Sequence, residues 1–337
     1  MQAYIIAFSI GLIACYVLTP TVKKLALRLG AIDNPDNRKV HVLPVPRMGG
    51  LAIYIGFLIA VLCSVTVTKE IVGLLLGGTF IVLLGVIDDI YQLSAKVKLT
   101  GQIFAALILV WFDIRIDWLA FPGGVEYFYM DSLAVPATVF WVVSMTNALN
   151  LIDGLDGLAA GVAFIASLTV SIVAVQSGSY IVAILTLALA GSTLAFIRYN
   201  FNPASIFMGD TGSMFLGYML AAVSVLGVVK SATAVALLVP AIALGLPIID
   251  TFLAIIRRYS NGKPIFKPDK GHLHHRLLAA GLSQKQAVLL MYGISLALSM
   301  SALLFTGSNH LLGLVVIGVI VAVVFVGAKK IGILNDI

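Results

Sequence analysis

Six aspartates of this 337-residue sequence stand at the ends of apolar segments or in the polar breaks beside them. The six are Asp88, Asp89, Asp153, Asp156, Asp210 and Asp250. Ionised carboxylates at such boundaries are costly and tend to be functional, and several close together need a cation to offset their repulsion. We expect that cation to be Mg²⁺ or Mn²⁺. Because Mg²⁺ typically takes only one or two protein carboxylates beside water and phosphate oxygens, the remaining aspartates are expected to bind substrate or handle protons.

One segment, NALNLIDGLDGLAAG, places amides and carboxylates at every third position: Asn147, Asn150, Asp153 and Asp156. This spacing puts them on one slowly drifting stripe of a helix, and Gly154 and Gly157 allow a ligand to approach the backbone closely. The four side chains are suited to ligate an ion and to read a nucleobase edge. Helix capping is the structural alternative, and it accounts for one or two of them.

Two further motifs carry acids. In GVIDDIYQLSAKVK, Asp88 and Asp89 cannot share one helical face, so one is free for a metal or a lipid phosphate; Lys98 either neutralises phosphate or is an ordinary residue of a basic connection. In FMGDTGS, glycines flank Asp210 at the start of a helix. There Asp210 is either an N-cap or a metal ligand beside backbone N–H groups that face a phosphate.

Basic residues are concentrated in DKGHLHHRLL, which contains His272, His274, His275 and Arg276. Without a cysteine partner a zinc site is disfavoured, and we expect these groups to bind a diphosphate, with a solvated basic loop as the alternative.

Two other motif residues, Arg47 and Asp250, each have two possible roles. Arg47, in RKVHVLPVPRMGG, is either a contact to lipid phosphate or an ordinary basic residue of its connection. Asp250 follows Pro247, which is expected to kink its segment, and it either pairs with a basic residue to orient the site or is purely structural.

The elements that must position these residues are transmembrane helices. Hydrophobic residues make up 61% of the chain and charged residues 11%, too few charges for a soluble surface. Apolar runs near 20 residues without strand alternation predict an all-α polytopic membrane protein with eleven spans. The predicted spans are 3–22, 49–68, 71–87, 99–114, 133–149, 158–175, 180–197, 213–229, 232–255, 286–305 and 310–328.

The basic residues predict the orientation. Eighteen of the 21 Lys and Arg fall in one set of connections and only three, Lys69, Arg115 and Lys230, in the other. The N-terminus is therefore expected outside and the C-terminus in the cytosol, and the net charge of +6 is attributed to topology and anionic substrates rather than to nucleic acid. Outside, residues 115–132 are expected to form a small hairpin.

We interpret the chain as a single transmembrane catalytic domain, 1–337, whose site faces the cytosol. The cytosolic loops of that site are 23–48, 88–98, 150–157, 198–212 and 256–285.

Taken together, PRMGG, GVIDD, NALNLIDGLDGLA, FMGDTGS, PIIDT and HLHHR resemble the polyprenyl-phosphate N-acetylhexosamine-1-phosphate transferases, of the glycosyltransferase 4 type. The likeness is greatest to the bacterial branch that begins wall teichoic acid and related surface-glycan synthesis. This resemblance implies transfer of GlcNAc-1-phosphate from UDP-GlcNAc to undecaprenyl phosphate in the plasma membrane, with release of UMP. The sister branch, which transfers phospho-MurNAc-pentapeptide, is the alternative, and a cation-coupled transporter is a more distant one.

The resemblance also implies roles for individual residues. Asp88 is implied as the base or the nucleophile, with Asp89 and Lys98 around the phosphates. Asp210 is implied to hold the metal, with Asn150 and Asp153 lining the same region. Substrate contacts are expected from Asn147, Asn150, Asp156, Asn200, Asp250 and Arg47, with Asp156 and Asn200 at the uridine base. The HLHHR loop is implied to clamp the diphosphate and sugar. A homodimer is left open.

Overall fold

The computed structural model describes residues 1–35, 43–120, 127–231, 235–262, 271–306, 315, 316, 318 and 319. Its helices are α1 Gln2–Leu29, α2 Gly50–Ser64, α3 Lys69–Tyr91, α4 Ala95–Trp111, α5 Ala134–Ile152, α6 Leu158–Gln176, α7 Tyr180–Asn200, α8 Gly209–Ser231, α9 Val235–Ala243, α10 Gly245–Ser260, α11 Leu273–Ala279 and α12 Gln284–Thr306. Two-stranded ribbons are formed by β1 Ile32–Asp33 with β2 Val45–Pro46, and by β3 Trp118–Ala120 with β4 Tyr127–Tyr129. The all-α class is therefore confirmed, with two minor ribbons.

Seven of the described helices are long and apolar enough to cross a membrane, or eight if the bent pair α9 and α10 is one span. The prediction of eleven spans is not confirmed. Helices do form at 49–68 and 99–114, but α2 has 15 residues and α4 has 17, short of the roughly 20 that a bilayer core requires. The eleventh predicted span, 310–328, lies almost entirely outside the described residues. The orientation of the termini stays a prediction.

The expected kink near Pro247 is a break between two helices. The chain bends by 74° between α9 and α10, and α10 begins at Gly245. Pro247 lies in the first turn of α10, where its missing N–H costs no helical hydrogen bond. The break allows α10 to run in a new direction and to bring Asp250 toward α11.

Helix α8 lies at the centre of the protein, and 94% of its 18-residue apolar stretch is buried. It packs against α3 and α5 at positions where those helices or α8 itself carry glycine. Gly77 of α3 faces the ring of Tyr218, Gly85 faces the backbone of Thr211, and Gly217 of α8 faces the backbone of Thr146. Because no Cβ separates these surfaces, the helices approach closely and fix the N-terminus of α8, where Asp210 lies.

A second set of contacts holds the segment that leads into α8. The backbone N–H of Phe207 donates to Pro46 (2.8 Å), and those of Gly49 and Gly50 donate to Phe207 and Met208 (both 2.9 Å). A Cβ on Gly50 would overlap the backbone of Gly212. The PRMGG motif therefore serves as a backbone support for FMGDTGS, a function that its sequence does not reveal.

The hairpin expected within 115–132 is confirmed. Strands β3 and β4 pair in antiparallel register, with Trp118 opposite Tyr129. It lies beside the C-terminus of α4 and the N-terminus of α5, at the end of the molecule away from Asp210.

Candidate active site

Three charged side chains from three helices meet at the N-terminus of α8. Lys98 Nζ, on α4, lies 2.7 Å from Asp210 Oδ2 and 3.4 Å from Asp88 Oδ2. Asp88 lies in the last turn of α3 and is 6% exposed, and its Oδ1 accepts the backbone N–H of Leu93 (2.7 Å). One ammonium thus offsets two carboxylates, and all three groups are held in fixed positions.

Asp89 faces a different partner from its neighbour Asp88. Its carboxylate accepts the N–H of Asp210 (3.0 Å), the N–H of Thr211 (3.1 Å) and the Thr211 hydroxyl. The Asp89 carboxylate therefore caps α8 from another helix, where a negative charge is favoured by the unpaired N–H groups and the helix dipole. Asp89 is only 1% exposed, so these donors replace water around its oxygens.

Gly209 makes this cap possible. Its φ of +72° is in the left-handed region, and a Cβ there would collide with the Asp89 carboxylate. The glycine before Asp210 is thus required both by backbone conformation and by space.

Beside this cluster lies a cavity of about 310 Å³. Its wall is formed by Asp33, Arg47, Asp89, Asn150, Asp153, Gly154, Leu155, Asp156, Asn200, Phe207, Gly209, Asp210, His275 and Gln284. Residues far apart in sequence therefore share one polar chamber. Asp210 belongs both to the wall and to the charged cluster, whereas Asp88 and Lys98 belong to the cluster alone.

The turn between α5 and α6 supplies the acidic side of the chamber. Asn150 donates from Nδ2 to Ser213 Oγ of α8 (2.9 Å), so the turn is tied to the helix that carries Asp210. Burial, and then the nearby charges of Asp210, Asp89 and Asp156, raise the pKa of Asp153 to about 8. A cation in the chamber would favour the ionised form of this carboxylate.

The predicted three-residue stripe is divided by the end of α5 at Ile152. Asn150, Asp153 and Asp156 reach the cavity wall. Asn147 does not: it lies within α5 and exchanges hydrogen bonds with Gln102 of α4, donating to Gln102 Oε1 at 2.6 Å. The chain turns at Gly154, as the loop predicted at 150–157 requires, so the four side chains do not share one stripe. The expected substrate contact of Asn147 therefore has no support from its position.

Asn200 lines the cavity but its polar atoms hold the protein together. Its Oδ1 accepts the N–H of Gly157 (3.1 Å), and its Nδ2 donates to the Ile206 carbonyl (3.0 Å). Asp156 likewise accepts the N–H of Ala204 (3.0 Å) and the Nδ2 of Asn202 (2.9 Å). These bonds fix the α5–α6 turn against the segment that leads to α8, while contact of Asn200 and Asp156 with uridine stays a prediction.

Arg47 contributes a cation to the same chamber. Its Nε donates to the backbone carbonyl of Asp89 (2.9 Å), and its Nη1 lies 3.7 Å from Asp33 Oδ1. The β1–β2 ribbon holds both partners, because Asp33 ends β1 and Arg47 follows β2. Arg38, Lys39 and His41 of the same basic motif lie outside the described residues.

Asp250 anchors the histidine segment. Its Oδ2 lies 2.8 Å from His272 Nδ1 and its Oδ1 accepts the N–H of Leu273 (2.8 Å), so α10 holds the start of α11. Asp250 is 8% exposed and does not line the cavity. Of the two alternatives for this residue, pairing with a basic partner is the one observed, and direct substrate binding has no support from its position.

The three histidines have different environments. The rings of His272 and His274 stack with centroids 5.7 Å apart, and His274 packs against Gly154. Burial, and then the neighbouring His275, lower the pKa of His274 to about 3, so it is a neutral ring. His275 is the one that reaches the cavity wall, while Arg276 donates from Nε to the Gly271 carbonyl (3.2 Å).

Sequence reasoning missed several residues of this site. The FMGDTGS motif contains Thr211 and Ser213, but the sequence assigns no function to them. It also gives no function to Asp33, Phe207, Gln102 and Gln284. Asp33 and Gln284 carry no recognisable spacing, because they join the cavity only through tertiary packing. The polar positions next to the glycines of FMGDTGS offered a signal for Thr211 and Ser213.

The donor set of the site fits a hard divalent cation. Asp88, Asp89 and Asp210 each offer an oxygen within 4.8 Å of the others. The oxygens of Asp89 are, however, already used by the N-terminus of α8. Asp210, Asp153 and Asn150, the set that the resemblance implies, all line the cavity, and their binding of a metal stays a prediction.

Comparison with known proteins adds an independent observation. The sequence profile of glycosyl transferase family 4 matches residues 71–228, which extend from α3 to α8. The chain is 44% identical over 337 residues to a probable undecaprenyl-phosphate N-acetylglucosaminyl 1-phosphate transferase of Bacillus subtilis (strain 168), covering 100% of this chain and 94% of that relative.

More distant relatives include both branches. A decaprenyl-phosphate N-acetylglucosaminephosphotransferase of Mycolicibacterium smegmatis is 40% identical over 311 residues, which is 83% of this chain and 76% of the relative. A phospho-N-acetylmuramoyl-pentapeptide-transferase of Heliobacterium modesticaldum is 33% identical over 312 residues, 87% of this chain and 94% of the relative.

Proposed function

Because this chain belongs to glycosyl transferase family 4, we propose that it transfers GlcNAc-1-phosphate from UDP-GlcNAc to undecaprenyl phosphate. The products are undecaprenyl-diphosphate-GlcNAc and UMP. The relative with 44% identity over the whole chain acts on this acceptor and sugar by its name, whereas the pentapeptide transferase in the comparison is 33% identical.

The observation that carries the proposal is the meeting of Asp88, Lys98 and Asp210 beside the cavity. Transfer of a phosphoryl group depends on positioning and on compensation of the negative charge that the reacting phosphates bring. Lys98 supplies a cation on α4, and Arg47 supplies a second one on the cavity wall. The site therefore offers two cations to an anionic donor and an anionic acceptor.

In the reaction, an oxygen of the lipid phosphate attacks the β-phosphorus of the donor. A new P–O bond forms there as the bond to the oxygen bridging the two phosphorus atoms breaks, and UMP leaves with that oxygen. Asp88 is proposed to orient the lipid phosphate and to accept its proton where it is protonated. Both oxygens of Asp88 accept hydrogen bonds, from Leu93 and Lys98, so the carboxylate is held in a defined orientation, and a covalent intermediate on Asp88 is the alternative mechanism.

We further propose Mg²⁺, or Mn²⁺, as the cofactor, held by Asp210 with Asp153 and Asn150. When bound, the ion offsets charge on the diphosphate oxygens and makes UMP a better leaving group. His275 on the cavity wall and Arg276 beside it are proposed to contact the diphosphate and sugar. Asp250 and His272 position that segment.

The enzyme is a multi-pass membrane protein. We propose that it lies in the plasma membrane and that its site faces the cytosol, the compartment that contains UDP-sugars. The polyprenyl tail would then reach the site from the bilayer. The first membrane step of wall teichoic acid or related glycan synthesis is the pathway that we propose for it.

The test mixes the purified protein with undecaprenyl phosphate, Mg²⁺ and either UDP-GlcNAc or UDP-MurNAc-pentapeptide, and follows the release of UMP. We expect UMP only with UDP-GlcNAc, and none from a matched Asp210→Asn protein. Release of UMP with the pentapeptide donor alone would assign the protein to the other branch and overturn the proposal.

A further inference from the structure

Gln284, the first residue of α12, places a neutral amide on the cavity wall. Its Oε1 accepts a hydrogen bond from Asn202 Nδ2 (2.7 Å), and the same Nδ2 donates to Asp156 Oδ2 (2.9 Å). The acceptor atom of the Gln284 amide is therefore fixed by a residue that is itself held. Its donor atom, Nε2, has no hydrogen-bond partner within the part of the chain that the structure describes.

Gln284 belongs to a hydrogen-bonded group of the cavity wall that contains one carboxylate, that of Asp156, and no basic side chain. Asn202, Asp156 and the N–H of Ala204 form one hydrogen-bonded group with it, and this group is linked to neither Lys98 nor Arg47. A neutral amide N–H adds little to the binding of a diphosphate compared with a cation. It is well matched to a carbonyl oxygen, for which a fixed donor gives directional recognition.

We propose that Gln284 is a specificity-determining residue whose Nε2 donates a hydrogen bond to a carbonyl oxygen on the uncharged part of the nucleotide sugar. This inference rests on the proposed function, which makes UDP-GlcNAc the donor. Two parts of that molecule carry carbonyl oxygens, the uracil base and the acetamido group of the sugar. The shared chemistry is the carbonyl, and the two sources are separated by experiment.

The test replaces Gln284 by Met, which keeps the length of the side chain and removes both the donor and the acceptor of its amide. We expect KM for UDP-GlcNAc to rise about 3- to 10-fold, the loss of one hydrogen bond to a neutral group, with kcat and the KM for undecaprenyl phosphate little changed. Gln176→Met is the control, because Gln176 is exposed at the far end of α6 and lines no part of the cavity.

Two further measurements identify the carbonyl. If it belongs to uracil, inhibition by UMP weakens in the Gln284→Met protein by the same factor as KM. If it belongs to the acetamido group, UMP inhibition is unchanged and the preference for UDP-GlcNAc over UDP-glucose falls about 3- to 10-fold. Either result supports the inference and selects the source.

A second variant separates the loss of the donor from a loss of folding. Gln284→Glu keeps an acceptor for Asn202 but has no donor, so it should raise KM for UDP-GlcNAc at least as much as Met does. Unchanged KM in both variants, with the thermal midpoint of the wild type, would overturn the inference while leaving the proposed function intact. If the wild type does not turn over UDP-GlcNAc, the proposed function itself fails and this inference fails with it.

Discussion

At the residue scale, adjacent aspartates have separate tasks because successive helical residues face different neighbours. Asp88 faces Lys98 and the charged cluster, while Asp89 faces the first turn of α8. An acidic pair in the sequence therefore does not mean two equivalent ligands. We propose that Asp88 serves the chemistry, whereas Asp89 caps the helix that carries Asp210.

This division predicts a separation of activity from stability. Asp210→Asn should lower kcat by about 100-fold or more, since it removes a charged group from the reacting centre, with a small effect on the thermal midpoint. Asp89→Ala should lower both, because three donors at the start of α8 lose their acceptor at a cost of about 2 kcal/mol or more. Initial rates and thermal unfolding in detergent measure the two effects. Equal thermal midpoints for the two variants would contradict the capping function of Asp89.

His274 gives a prediction for the dependence of stability on pH. Its pKa is about 3 in the folded protein because of burial, against the usual value near 6.5. The unfolded chain therefore binds a proton that the folded protein excludes, and the stability present above about pH 6.5 is lost as the pH falls toward 3.

By pH 5 this loss amounts to roughly 2 kcal/mol. The His274→Asn protein should lose less of its thermal midpoint between pH 7 and pH 5 than the wild type does. A steeper or identical dependence in the variant would show that His274 is not the group responsible.

At the element scale, the site depends on how closely α3, α2 and the α5–α6 turn approach α8. Glycines at these crossings replace side chains with backbone contact, and they explain motif positions that carry no chemistry. The PRMGG and GVIDD motifs thus combine reactive residues with the glycines that place them. Helix α11 is positioned differently, through the side chain of Asp250.

Two glycines of α3 provide a matched test of this packing. A Cβ at Gly85 would collide with the backbone of Thr211, whereas one at Gly78 would meet only side chains at about 3.5 Å. Gly85→Ala should therefore destabilise the protein by about 1–3 kcal/mol and reduce turnover, because α8 is displaced. Gly78→Ala should be tolerated or slightly stabilising. The measurement compares the thermal midpoints and initial rates of both variants. Equal values for Gly85→Ala and Gly78→Ala would show that close packing of α3 against α8 does not determine stability or turnover.

The elements differ in how far the sequence predicts them. Hydropathy locates the long helices well, and Pro247 correctly marks a break, because both signals are local. The length of α2 was overestimated because Val65 and Val67, beyond its last residue, extend the hydropathic segment, whereas α4 both begins and ends before the predicted segment 99–114 does. The separation of Asn147 from Asp153 and the arrival of Gln284 at the cavity depend on tertiary packing, which no single segment encodes.

At the scale of the whole molecule, distant parts of the chain deliver their polar ends to one chamber. The parts concerned are the C-termini of α3, α5 and α7, the N-termini of α8 and α12, helix α11 and the ribbon after α1. The remainder of these helices is mostly apolar and compatible with a bilayer, and the chamber lies at one end of the molecule. Orientation then decides which compartment supplies the donor.

The orientation is tested by labelling single cysteines from one side of intact cells. Cys15 and Cys63 are first replaced by Ala, and Cys is then introduced for Lys69 or for Lys96, which are both exposed. Lys69 begins α3, and Lys96 lies at the start of α4, just after the other end of α3. A membrane-impermeant maleimide should label the Lys69→Cys protein in intact cells and the Lys96→Cys protein only after permeabilisation. The reverse pattern would place the site outside and contradict the predicted topology.

The most direct test of the central claim follows the β-phosphate of the donor. With UDP-GlcNAc labelled with ³²P at the β-position, undecaprenyl phosphate and Mg²⁺, the label should move into the lipid fraction while unlabelled UMP is released, and Asp210→Asn should abolish both. Label that leaves as UDP, or that stays in UDP-GlcNAc with the wild-type protein, would contradict transfer of a sugar phosphate at this site.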